Sequence, residues 1–198
     1  MPKMSFLEQA REQIGKLKKE YKYNKANASR EAAAKLQYER TVCRSQLEGN
    51  KKNVERVIRE QSRNIRIGRA EYQDTSIQQE ILHEAALSYL LLTDAIYALT
   101  TVSSYDSISY AYEVLDAAVE YMSGKPRHMR KLSELPVFRA DKRNNAYAAL
   151  TSKERVLEKE NICEQIMAAL IESGDIEACL QQIRGKRESN LDMRKVYE

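Results

Sequence analysis

The chain has 198 residues, 33 of them basic and 29 acidic, giving a formal net charge of +4 and a mean hydropathy of -0.65. At roughly 150 residues per domain, that length supports one domain and at most two. Three prolines and six glycines argue against sandwiches, barrels and collagen-like chains. No apolar run approaches the roughly 20 residues that span a bilayer, and the start MPKMSFLEQA lacks the apolar core of a secretory signal. Three cysteines without a repeated spacing fit a reducing, cytoplasmic setting better than a disulfide scaffold.

Charge is sorted along the chain. Residues 1–70 carry 18 basic and 8 acidic side chains; residues 71–122 carry nine acids and no lysine or arginine; residues 123–198 carry 15 basic and 12 acidic ones. Such asymmetry points to pairing between segments, or to a basic face that seeks an acidic partner.

Residues 1–24 read as a basic amphipathic leader helix. Leu7, Ala10, Ile14, Leu17 and Tyr21 are spaced 3, 4, 3, 4, and lysines crowd the flanks of that narrow stripe. Phe6 and Leu7 beside Lys16, Lys18 and Lys19 form the layout of an interfacial membrane helix, so these five are the candidate membrane contacts. The competing reading is that Leu7, Ile14 and Leu17 pack on the helical hairpin that follows.

Residues 25–67 continue as helix formers with a sparse apolar face, which needs a partner helix. Gly68 suits the C′ position of that helix, and Ser76 with Gln79 has capping-box spacing for the next. Leu82, Ala85, Tyr89, Leu92, Ile96 and Leu99 then hold a 3-4 repeat, and a second repeat starts at Ile108, Tyr112, Leu115, Val119 and Met122. The slip across 102–108 is either a stutter in one helix or a tight turn. Residues 124–150, with two prolines and seven basic residues, form a basic connector. Residues 151–198 form a C-terminal helical arm and tail: Thr151 and Glu154 have capping-box spacing, Gly174 and Asp175 interrupt, and a shorter helix ends at Gly185. The expected fold is all-α: a long antiparallel helical hairpin over 25–123, 25–67 against 77–123, with the basic leader helix and small C-terminal helices.

Catalytic chemistry finds little purchase, and no enzyme activity and no cofactor are expected. Glu80-x-x-His83 has the i, i+3 spacing of di-iron bundles, but the second such pair is missing. Cys163 and Cys179 fall among helical apolar positions and read as buried small hydrophobes; Cys43 sits in the charged helix. No G-x-S-x-G, Walker-type loop or G-x-G-x-x-G is present.

Binding features are stronger. Lys52, Arg56, Arg59, Arg63 and Arg66, spaced 4, 3, 4, 3, place five cations on one helical stripe. Either local glutamates such as Glu55 and Glu60 satisfy this face, or it takes an external anion: the acidic arm of another copy, an anionic membrane surface, an acidic protein or nucleic acid. Nucleic acid ranks lowest, because no aromatic residue interleaves the stripe.

The order of these parts resembles the ESCRT-III membrane-remodelling family over roughly residues 1–180. Residues 89–102 (YLLLTDAIYALTTV) look like that family's second hairpin arm, and Val156 to Leu180 like its later helices. The acidic charge here lies in the second arm rather than in the C-terminal helices. Residues 191–198 differ from the family's ATPase-binding tail. The resemblance implies a homo-oligomer or polymer assembled on membranes, peripheral rather than inserted. The expected function is thus a non-enzymatic scaffold associating through charge-complementary faces. The alternative is a soluble adaptor offering its basic stripe to an acidic protein or nucleic acid.

Overall fold

The computed structural model describes residues 5–26, 30–101, 105–123 and 152–195. They form six helices: α1 (Phe6–Ala26), α2 (Arg30–Ala70), α3 (Ser76–Thr101), α4 (Tyr105–Ser123), α5 (Ser152–Ser173) and α6 (Ile176–Lys195). No strand occurs among the described residues, and the all-α class holds. The basic connector expected over 124–150 and the cap at Thr151 lie outside the described residues.

The chain divides into two compact units, each built from two separate stretches. Met1–Val54 and Leu87–Asn161 contribute the first unit; Glu55–Ala86 and Ile162–Glu198 contribute the second.

In the first unit, α1 begins with a reciprocal cap that sequence reading had missed. The Ser5 N–H donates to Glu8 Oε2 at 2.7 Å, and the Glu8 N–H donates to Ser5 Oγ at 3.2 Å. α1 and α2 run antiparallel, flanking a small cavity of about 290 Å³ and joined near their linked ends by Lys35–Glu20 at 3.4 Å. α2 and α3 are antiparallel too: Arg40 donates to the carbonyls of Leu99 and Thr100, and the Lys51 ammonium lies 4.5 Å from the Tyr89 ring centre. α4 lies antiparallel to α1, through Arg11–Asp116 at 3.1 Å and Lys18 over Tyr112 at 5.0 Å. The four helices therefore alternate in direction around a core that includes Leu7, Ile14, Leu47, Leu92, Leu99 and Leu115.

The single hairpin expected over 25–123 is thus divided. α3 opposes α2, whereas α4 returns against α1. The two apolar repeats on either side of the slip have separate phases because they serve separate partners. Residues 102–104 lie outside the described residues, and from Tyr105 onward the chain is already α4.

In the second unit, α2 closes in a Schellman motif. The Gln73 N–H donates to Gly68 O at 2.8 Å, and the Tyr72 N–H to Arg69 O at 3.3 Å. The left-handed residue is Tyr72, at φ 56° and 98% exposed, not Gly68. Gly68 lies inside the last turns of α2, where a Cβ would come within 2.6 Å of Thr75 Cγ2. Its small size admits Thr75, and the C′ position expected for Gly68 is taken by Tyr72. Nor does Ser76 cap with Gln79. Asp74 accepts from both the N–H and the hydroxyl of Ser76, and Gln79 bonds Thr75 Oγ1 at 2.9 Å. At the other corner Gly174, at φ +69°, ends α5, and Asp175 caps α6 by accepting from the Ala178 N–H at 3.1 Å. α6 runs to Lys195, ten residues beyond the expected stop at Gly185. The core of this unit gathers Ile58, Ile65, Leu82, Cys163, Ile166 and Leu170.

Candidate functional site: an exposed basic face on α2

Three of the five stripe cations stand on the part of α2 that is exposed in the second unit without being recruited by another helix. Arg56, Arg59 and Arg63 are exposed. They lie opposite the buried positions Ile58, Ser62 and Ile65, so helical periodicity alone turns them outward. Arg59 pairs with Glu55 along the helix, whereas Arg56 and Arg63 make no ion pair among the described residues.

Arg66 has a different job. Its guanidinium donates to the carbonyls of Ile171 and Glu172, two of the unsatisfied acceptors at the end of α5. This makes Arg66 a helix cap from outside the helix, and only secondarily a member of the basic face. The same corner is held by Gly174, where a Cβ would stand 3.6 Å from Arg59 Cα and 3.6 Å from Ser62 Cβ. Lys52, the first residue of the stripe, is exposed in the first unit.

The second unit also presents acid. On α3, Ile77, Glu80, Ile81 and Glu84 are all exposed, with Ile77 66% accessible. Their spacing of 3, 1 and 3 puts two carboxylates and two isoleucines on one helical face. This mixed face was not singled out from sequence. The Ile77 and Ile81 pair was hidden by the stronger 3-4 repeat that begins at Leu82.

The leader helix is placed otherwise than a lipid-inserting helix requires. Leu7 is 0% exposed and packs in the first unit with Ala10, Ile14 and Leu17, while Phe6 is half-buried. Leu7 is therefore not a surface contact; the physical reason is that the α1 stripe is too narrow to serve a core and a membrane together. Lys16 and Lys19 are exposed, with Lys16 bound to Glu12 at 2.8 Å, and Lys18 is half-buried over Tyr112.

The first unit contains a buried charged cluster that no motif had marked. Arg155, 6% exposed, lies 2.8 Å from Glu158 and 3.9 Å from Asp94, and Lys159 reaches Asp94 at 3.2 Å. Burial lifts the Asp94 carboxyl above its ordinary range, despite the opposing pull of Lys159 and Arg155. For Arg155 burial also works against the charge, but a hydrogen bond with Tyr110 and the Glu158 and Asp94 carboxylates outweigh it, so its pKa rises. The two partners thus report opposite net effects on their charged forms. The geometry reconciles them: Arg155 has Tyr110 and Glu158 in addition to Asp94, and so has more compensation than Asp94 receives in return. The cluster joins α3, α4 and α5, and has the character of a structural fastener.

All three cysteines are buried and none forms a disulfide with another, and burial pushes the Cys43 thiol up to about 12, which removes thiolate character at neutral pH. Glu80 is exposed and His83 half-buried, and no group of three or more His, Cys, Asp or Glu gathers among the described residues. No described helix is long and apolar enough to cross a membrane.

No family model, curated protein or solved structure matches the chain.

Proposed function

We propose that this protein is a non-enzymatic helical scaffold that associates copy to copy, the basic α2 face of one molecule meeting the acidic α3 face of another. The observation that carries the reading is the presence of both faces, exposed, in the second unit: Arg56, Arg59 and Arg63 on one helix, and Ile77, Glu80, Ile81 and Glu84 on the other. The exposed isoleucines matter because charge alone gives steering and register, whereas apolar burial supplies affinity. Two different faces make a heterologous contact, which closes into a ring or continues as a filament.

The resemblance to ESCRT-III extends the proposal to assembly on an anionic membrane. Lipid contact is then electrostatic, since the apolar stripe of α1 is used within the first unit.

Sedimentation velocity at low and high salt tests the copy-to-copy reading. Wild type should form salt-sensitive assemblies, because exposed charges are screened over about 10 Å at 0.1 M. Reversing Arg56, Arg59 and Arg63 to glutamate should weaken assembly by about tenfold or more while leaving the melting curve nearly unchanged. Mixing that variant with Glu80→Lys/Glu84→Lys should restore hetero-assembly. A wild type that remains one small, salt-insensitive particle at all concentrations, with and without anionic liposomes, defeats the proposal.

A further inference from the structure

A second concentration of positive charge lies in the first unit, on α1. Arg11, Gly15, Lys18 and Lys22 are spaced 4, 3, 4 and form one stripe along α1 beside α4. Lys16 and Lys19 flank it. With Glu12 and Tyr112 these residues line an open groove of about 790 Å³.

The groove has a built floor. Tyr112 lies under Lys18, whose ammonium is 5.0 Å from the ring centre, and a Cβ on Gly15 would come within 3.1 Å of Tyr112 Cε2. Any larger side chain at position 15 would therefore press on the ring and fill the space above it. At one end Arg11 is fixed by Asp116 at 3.1 Å.

The charge lining the groove is unbalanced. Five cations share it with one carboxylate, Glu12, which Lys16 already engages at 2.8 Å. Lys19 and Lys22 are exposed and make no ion pair among the described residues. Lys18 and Lys22 are four residues apart, Lys19 and Lys22 three, so they repel one another along the groove. An anion seated there would relieve that repulsion. From Arg11 to Lys22 the helix rises about 16 Å, a length one phosphate cannot bridge.

We infer that the α1–α4 groove binds a ligand carrying two or more linked or clustered phosphate groups, with Lys18, Lys19 and Lys22 as the principal contacts. Free polyphosphate and a multiply phosphorylated lipid headgroup offer the same chemistry. This site uses none of the residues of the α2 or α3 faces, so it stands or falls apart from the scaffold reading.

The test is calorimetric titration of the full chain with sodium tripolyphosphate and with inorganic phosphate, alongside co-sedimentation with two kinds of phosphatidylcholine vesicle. One vesicle carries a doubly phosphorylated phosphoinositide, the other enough phosphatidylserine to match its charge. Tripolyphosphate should bind more tightly than phosphate if the ligand is soluble; preference for phosphoinositide vesicles, with no binding of free tripolyphosphate, assigns the source to a headgroup. In either case Lys18→Glu/Lys22→Glu should weaken binding by about thirtyfold, taking about fivefold for each basic residue near an anionic surface. Gly15→Gln, which blocks the floor without changing charge, should also weaken it, and so decides the matter if the double reversal does not fold. Reversal of Arg56, Arg59 and Arg63 should leave this binding unchanged. The inference is overturned if no probe binds, if phosphate or phosphatidylserine does as well as its multiply phosphorylated counterpart, if correctly folded groove variants bind like wild type, or if reversing the α2 face weakens binding equally.

Discussion

In the first unit Arg155 sits almost wholly out of solvent among Tyr110, Glu158 and Asp94; in the second, Arg56 and Arg63 stand in water with no ion pair among the described residues. Both kinds of arginine come from helices with ordinary polar flanks, and spacing along the chain does not separate them. What separates them is the facing helix. α3 and α4 bring Asp94 and Tyr110 to Arg155, so its charge is satisfied internally and removing it would strand other polar groups. Nothing equivalent reaches Arg56 or Arg63 among the described residues. Charge that a fold has consumed supports stability, and charge that it has left over is available for partners.

The strongest way to break this distinction is Arg155→Met. The substitution leaves Asp94 and Glu158 with Lys159 as their remaining close cation, and should destabilise the protein by about 3 kcal/mol in chemical denaturation. A loss below about 1 kcal/mol would place Arg155 with the surface arginines.

Arg66→Ala comes next. It removes the donors to the Ile171 and Glu172 carbonyls, so a loss of about 1 kcal/mol is expected, together with faster hydrogen exchange at the end of α5. Equal exchange in the variant and wild type would return Arg66 to the basic face.

Asp94→Asn should cost less than about 1 kcal/mol at neutral pH, because Arg155 and Lys159 keep Glu158. Its clearer signature is pH dependence. The folded carboxyl titrates above its ordinary value of 3.8, so the native state holds the proton longer than the unfolded chain does. Asp94 therefore contributes stability below pH 3.8 that is lost as pH rises through the folded value. The stability of wild type relative to Asp94→Asn should fall across that window; a difference that grows with pH would reverse the assignment.

Arg63→Ala should be the mildest, within about 0.5 kcal/mol of wild type by thermal melting, since no described partner is lost. A larger loss would mean that the leftover cation is structural after all.

The helices themselves were largely legible in the sequence. The α1 repeat Leu7, Ala10, Ile14 and Leu17 is buried as its spacing required, and the stop at Ser173 before Gly174 is where α5 ends. Errors clustered where one residue type has two physical uses. Gly68 was read for backbone freedom but is needed for its missing side chain, while a tyrosine takes the left-handed position. Gly185 was read as a stop but lies within α6, where a Cβ would meet nothing within 4 Å. The division of α3 from α4 was visible as a phase slip, yet the choice of α1 as partner for α4 depends on surfaces more than a hundred positions apart, such as Arg11 and Asp116. Of the candidate site, the exposure of Arg56, Arg59 and Arg63 follows from period alone. The diversion of Arg66 to the end of α5 could not be read locally, since a 105-residue separation lies between donor and acceptor.

That separation also bears on the order of events at synthesis. Each unit is assembled from two stretches of chain, and α5 contributes its beginning to the first and its end to the second. The α2–α3 corner can form as soon as it leaves the ribosome, because its bonds are local. Neither unit is complete until residues beyond 150 emerge, and at about 5–20 residues per second the core of each waits for several seconds with one wall open. Folding is therefore gated by the arrival of α5, and a chain stalled before it would expose two unfinished apolar surfaces to the chaperones and proteases of the cell.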